Sequence, residues 1–162
     1  MHILKWLDKN IEEFLMMIFL ALMTCTMGLQ IGMRYIFNNS LVWSEELTRY
    51  LFIWSSFISI SYCIKNGISI KIDQFFNMIP KSAQKIIKII ENIILLLFFI
   101  YVFKFSLEVV KATYLNHQTS PAMGLPIYLV RMSTVVGFFL CIVRLIQNLF
   151  KILKPSNLDY LK

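Results

Sequence analysis

The sequence predicts an all-α integral membrane protein with four transmembrane helices and one amphipathic interfacial helix between the second and third. Three observations carry that expectation. The 162 residues are 58% hydrophobic, with 14 phenylalanines and only 15% charged residues. That is more apolar matter than a soluble domain of this length can hide. The apolar residues gather into four runs, each near the ~20 residues that a helix needs to cross a hydrocarbon core about 30 Å thick. The lysines and arginines lie mainly between those runs, where a membrane protein keeps them.

The first span covers about 14–35, and residues 14–33 carry no charge. Its length, the acidic pair Glu12 and Glu13 in front of it and the lack of a small-residue cleavage site argue against a cleavable signal peptide. The second span covers about 45–64. Its uncharged part starts at Tyr50, Trp43 anchors its beginning at the interface, and Lys65, Asn66 and Gly67 end it. The third, about 86–110, carries Glu91, Lys104 and Glu108; the last two share a helix face and can pair. A helix over 83–112 would be about 45 Å long at 1.5 Å per residue, so it must tilt or protrude. The fourth, about 126–149, opens on Pro126, whose missing N–H costs nothing at a helix start. Arg131 and Arg144 lie one to two turns in from its ends and are expected to snorkel to the headgroups. Residues 1–154 are therefore expected to form a single membrane domain, followed by a polar tail over 155–162.

Between the second and third spans the pattern changes. Ile72, Phe75, Phe76 and Ile79 fall at i, i+3, i+4 and i+7, while Lys71, Asp73, Gln74 and Asn77 fill the other side. An amphipathic helix over about 69–80 is too short to span and ends at Pro80. It either lies on the membrane surface with its phenylalanines down or packs on the rest of the protein. Orientation follows from the basic residues. Lys5, Lys9, Lys65, Lys71, Lys81, Lys85, Lys88, Lys151, Lys154 and Lys162 border one side, whereas the other two loops have only Arg34 and Lys111 at their edges. The imbalance places both termini and the middle loop in the cytoplasm.

Several chemistries find no support. The net charge of +7 is not clustered with stacking aromatics on a soluble face, so nucleic acid is not an expected partner. Cys25, Cys63 and Cys141 form no CxxC pair and read as small buried hydrophobes, without disulfide or metal. The histidines, His2 and His117, lie outside the apolar runs, which argues against a haem-carrying subunit. Glu91 sits about one turn into its helix and reads as interfacial rather than as the proton relay of a small exporter. No protease, esterase or nucleotide motif is present. No cofactor and no enzymatic activity are expected. Thr24, Thr26, Ser55, Ser56 and Ser59 read as small residues that let helices pack.

One cluster stands out: Trp43, Ser44, Glu45, Glu46, Arg49, Tyr50 and Trp54, with Arg34 at the facing end of the first span. Part of it has a purely structural account. Ser44 can cap the second helix, Glu45 and Glu46 then suit the positive end of its dipole, and Arg49 can pair with either carboxylate. The surrounding aromatics also suit a docking site for another membrane subunit.

Here the chain resembles the small permease subunit of tripartite ATP-independent periplasmic (TRAP) transporters. The matching residues are Arg34-Tyr35-Ile36-Phe37, Trp43-Ser44-Glu45-Glu46-Leu47, Arg49-Tyr50 with Trp54, and the segment from Gly67 to Asp73. The loop Ser120-Pro121-Ala122-Met123-Gly124-Leu125-Pro126, with Pro121, Gly124 and Pro126, resembles the family's small-residue and proline turn. Ser69 departs from the pattern, since many relatives have His there. The resemblance implies a subunit that steadies a large membrane subunit, which itself holds substrate and sodium. It also implies a periplasmic substrate-binding protein that captures an anionic solute such as a sialic acid or dicarboxylate. Membrane lipids complete the expected partners. The competing expectation is a stand-alone, homo-oligomeric transporter or channel.

Overall fold

The computed structural model describes residues 2–67 and 81–153, with side chains described over 10–67 and 84–153. The chain forms four long helices: α1 (His2–Ile36), α2 (Val42–Lys65), α3 (Lys81–Leu115) and α4 (Ile127–Leu153). Each contains a stretch long and apolar enough to cross a membrane: Asn10–Ile36, Val42–Lys65, Gln84–Leu115 and Ile127–Leu153. In hydrocarbon every backbone N–H and C=O must be satisfied within the chain, and an apolar helix does so at the lowest cost. The expected interfacial helix, with Ile72, Phe75, Phe76 and Ile79, and the expected tail over 155–162 lie outside the described residues.

Boundaries follow local chemistry. The chain leaves α1 through Asn38, which adopts a left-handed φ of 50°, a conformation Asn tolerates. The α2 N-cap is Leu41, and no side chain caps it. Ser44 therefore does not take the capping role expected of it. It sits inside the first turn, fully buried, with its hydroxyl donating to the Leu41 carbonyl at 2.7 Å. Gly67, at φ 63°, turns the chain away after α2, where a Cβ would be strained. The span of 32 residues over Gln84–Leu115 exceeds the 86–110 expected for α3. At 1.5 Å per residue it measures about 48 Å, well beyond a core of about 30 Å. α4 begins at Ile127, directly after Pro126.

The helices do not pack in chain order. α1 packs on α2, α2 on α4, and α4 on α3. α2 and α4 are thus central, flanked by α1 and α3. The α2–α4 seam is closest at Gly137, where an added Cβ would meet Phe57 Cβ at 2.7 Å and the Phe57 carbonyl oxygen at 2.9 Å. Beside it Phe57 and Phe138 make an edge-to-face pair with centroids 5.5 Å apart, and Phe99 of α3 lies 5.9 Å from Phe138. Phe99, Cys141 and Leu145 form the buried core, with Ile60, Ile64, Leu95, Leu96 and Ile142 against it. The core is small because lipid is as apolar as leucine. Packing between such helices comes from close contact and polar bonds rather than from escape from water. Ser61 and Ser133 are accordingly among the most buried side chains, while Leu20, Leu29 and Leu97 stay more than half exposed.

Candidate functional site

Polar side chains collect at the two ends of the bundle. At the end carrying the α1–α2 and α3–α4 connections, the two carboxylates expected to act together separate. Glu45 accepts from Gln30 Nε2 of α1 at 2.9 Å. Glu46 is nearly buried, accepts from the Tyr50 hydroxyl one turn along, and accepts from the Ala122 and Met123 backbone amides at 3.0 and 2.9 Å. It thereby pins the loop before α4 to the first turn of α2. That loop is also held by itself. Ser120 N donates to the Leu125 carbonyl at 2.8 Å, Ile127 N donates to Gln118 at 2.9 Å, and Gly124 turns it at a φ of 64°. Pro121 is exposed on this loop and Pro126 half-buried at its end.

The arginines behave otherwise than expected. Among the described residues no ion pair within 4.0 Å and no hydrogen bond joins Arg49 or Arg34 to Glu45 or Glu46. Glu45 is held by an amide and Glu46 by amides and a phenol, so the ladder pairing that spacing allows goes unused. Arg34, Glu45 and Arg49 instead line one groove between α1 and α2. Trp43 is exposed on the first turn of α2, and Trp54 is half-buried further along it.

At the opposite end lies a network that the sequence reading missed. Glu12 of α1 is fully buried. Its Oε1 accepts from Arg144 Nε of α4 at 2.6 Å and from Ser61 Oγ of α2 at 3.1 Å; its Oε2 accepts from Lys65 Nζ at 2.7 Å. Arg144 also donates through Nη1 to Gln147 Oε1 at 2.7 Å, and Asn148 Nδ2 donates to the Ile64 carbonyl at 3.1 Å. Arg144 therefore does not snorkel. It is 5% exposed and turned into the protein, because Glu12 offers a closer partner than a headgroup. A signal was available: Ser133, Gly137, Cys141, Arg144 and Asn148 fall on one stripe of α4, a small and polar face in an otherwise apolar helix. Among the described residues no group of three or more His, Cys, Asp or Glu side chains could hold a metal.

A family described as tripartite ATP-independent periplasmic transporters, DctQ component, matches residues 20–154. The chain belongs to this family. It is similar to an isethionate TRAP transporter permease protein, DctMQ, of Oleidesulfovibrio alaskensis, with 37% identity over 153 residues. That match takes in 91% of this chain and 24% of the relative. A putative TRAP transporter small permease protein of Haemophilus influenzae is 28% identical over 142 residues, covering 86% of this chain and 84% of the relative. The sialic acid TRAP transporter small permease protein SiaQ of Vibrio cholerae is 30% identical over 84 residues, 52% of this chain and 49% of the relative. The chain thus spans about a quarter of the DctMQ protein and most of the Haemophilus one. Membership as a DctQ component, with four membrane-crossing helices, makes it a multi-pass inner-membrane protein. Its relatives are transporter subunits, and the solutes in their names differ.

Proposed function

We propose that this DctQ component is the scaffolding small membrane subunit of a TRAP-type secondary transporter that takes up an anionic solute, such as a sialic acid or a dicarboxylate. The observation that carries the reading is where the polar groups go. Glu12, Lys65 and Arg144 tie three of the chain's own helices together, and Glu46 ties a loop to α2. The rest of α1 and α3 offers long apolar flanks. A transport path needs unpaired polar groups and broken helices near the midplane; these charges are spent on holding a shape. The DctMQ relative, of which the match takes in 24%, supports a large membrane subunit as partner. A periplasmic substrate-binding protein completes the set, with the loop around Pro121, Gly124 and Pro126 as its contact.

In this reading both termini face the cytoplasm, as the lysine distribution requires. Trp43 and Trp54 set the depth of α2, while Ser44, Glu45, Glu46 and Tyr50 hold its outer end, Glu45 through Gln30 of α1, with Arg34 and Arg49 beside them. The test is reconstitution into liposomes with and without a large TRAP subunit, with the binding protein and labelled solute outside. Uptake is expected only when both membrane subunits are present. Uptake by this chain alone would overturn the scaffold and favour a self-sufficient transporter.

A further inference from the structure

The groove between α1 and α2 asks for an occupant that no described residue supplies. Its volume is about 680 Å³. Its mouth carries Arg34, Arg49 and Glu45, and its floor is Met23, Met27, Ile31 and Phe52. A second cleft of about 450 Å³, reaching Thr24 and Gly28, shares Met23, Met27 and Ile31 with it. Gly28 leaves that cleft open, since a Cβ there would meet nothing within 4 Å.

Three features converge. First, each guanidinium presents five N–H donors, and neither Arg34 nor Arg49 makes an ion pair or hydrogen bond with a described residue. Glu45 is already engaged by Gln30. Counting two arginines and one carboxylate, the mouth is left with a formal charge of +1 (2 − 1). Second, the floor is apolar and lies along the helices. From Arg34 to Met23 is about 16 Å of α1 at 1.5 Å per residue, close to one leaflet of a core about 30 Å thick. Third, the charged mouth sits at the helix ends, where headgroups lie, and the floor runs towards the middle of the span. A solute site would need the reverse, with polar groups deep and walls closed around them.

We infer that this groove binds a membrane glycerophospholipid, with its phosphodiester between Arg34 and Arg49 and its acyl chains in the two clefts along Met23, Met27 and Ile31. Arginine suits the headgroup because its planar fork donates in pairs to phosphate oxygens and sheds water more readily than an ammonium does. The lipid then fills the space between the adjoining ends of α1 and α2, across which the Gln30–Glu45 hydrogen bond reaches. This inference stands apart from the scaffold reading, and neither depends on the other.

Native mass spectrometry of the full chain released from detergent tests it. The probes are phosphatidylglycerol and diacylglycerol with the same acyl chains, so that only the phosphate-bearing headgroup differs. Phosphatidylglycerol adducts are expected to exceed diacylglycerol adducts on the wild type and to fall about tenfold or more in R34Q/R49Q, which lacks both charged forks. R34K/R49K, with charge but no forks, should keep an intermediate share, and circular dichroism confirms that each variant remains helical. Equal binding of the two lipids, or undiminished phosphatidylglycerol adducts in R34Q/R49Q, overturns the assignment. So does loss of the adduct when a large TRAP subunit is bound, which would show that the groove belongs to a protein contact.

Discussion

The two ends of the helix bundle handle charge in opposite ways. At the Glu12 end, one carboxylate, one ammonium and one guanidinium from three helices are drawn inward and satisfied by one another. At the Glu46 end the carboxylates are satisfied by neutral donors, and the two arginines stay unspent. The first arrangement is closed: both cations share one carboxylate, and removing Glu12 would strand an ammonium and a guanidinium together. The second is open, because its cations can be taken up by something outside the chain. Charge in a membrane protein is thus not a single kind of signal. Whether it builds the protein or faces a ligand depends on whether its counter-charge is already inside.

Breaking the closed end should give the largest effect. Arg144→Ala leaves Glu12 with Lys65 on one oxygen and only Ser61 on the other, and breaking a buried ion pair by removing one partner costs up to about 3–5 kcal/mol. Thermal unfolding in detergent should show it, and the losses of Glu12→Gln and Arg144→Gln should overlap, so that the double variant loses less than their sum. If the double variant is as unstable as the sum of the singles, the pair is not coupled and the contrast between the ends fails. Next comes the α2–α4 seam, which lies between them. Gly137→Ala forces a Cβ to within 2.7 Å of Phe57 Cβ, and overpacking of this kind costs about 1–3 kcal/mol. The same unfolding assay should register that loss, whereas Gly28→Ala, facing open space, should be tolerated.

The open end should respond locally. Glu46→Ala removes the acceptor of the Ala122 and Met123 amides. Hydrogen exchange at those two amides should speed up about tenfold while the helices keep their protection, as expected of a local opening. Exchange that rises across α2 as well would show that Glu46 braces the whole bundle. The smallest effect belongs to Arg49→Ala. With no ion pair to lose, it should change unfolding stability by no more than about 0.5 kcal/mol. A loss as large as that of Arg144→Ala would erase the difference between the two ends.

The sequence made the spans legible because a bilayer imposes a length, and runs such as 14–33 satisfy it without charge. Helix ends were harder. α3 runs on to Leu115 because Lys104, Glu108 and Lys111 are good helix formers even where they are poor lipid neighbours. Lateral order was not legible at all. Helices apolar on every side carry little indication of which neighbour they meet, and nothing in the chain order places α4 between α2 and α3. At the candidate site, the grouping of Glu45, Glu46, Arg34 and Arg49 could be read, but their partners could not. Besides the Tyr50 hydroxyl, the donors to Glu46 are backbone amides of Ala122 and Met123, which leave no trace in residue type. Glu12 and Arg144 are 132 positions apart, and each has an ordinary local explanation taken singly.

The position of α4 has a bearing on how the chain is made. Synthesis delivers α1, α2 and α3 to the bilayer first, with the slot between α2 and α3 vacant and the Glu12 carboxylate lacking its guanidinium. Only α4 supplies both the wedge and the second countercharge. Arrival of α4 is therefore registered at α1: until residue 144 is in place, Glu12 keeps Lys65 on one oxygen but has only the Ser61 hydroxyl on the other.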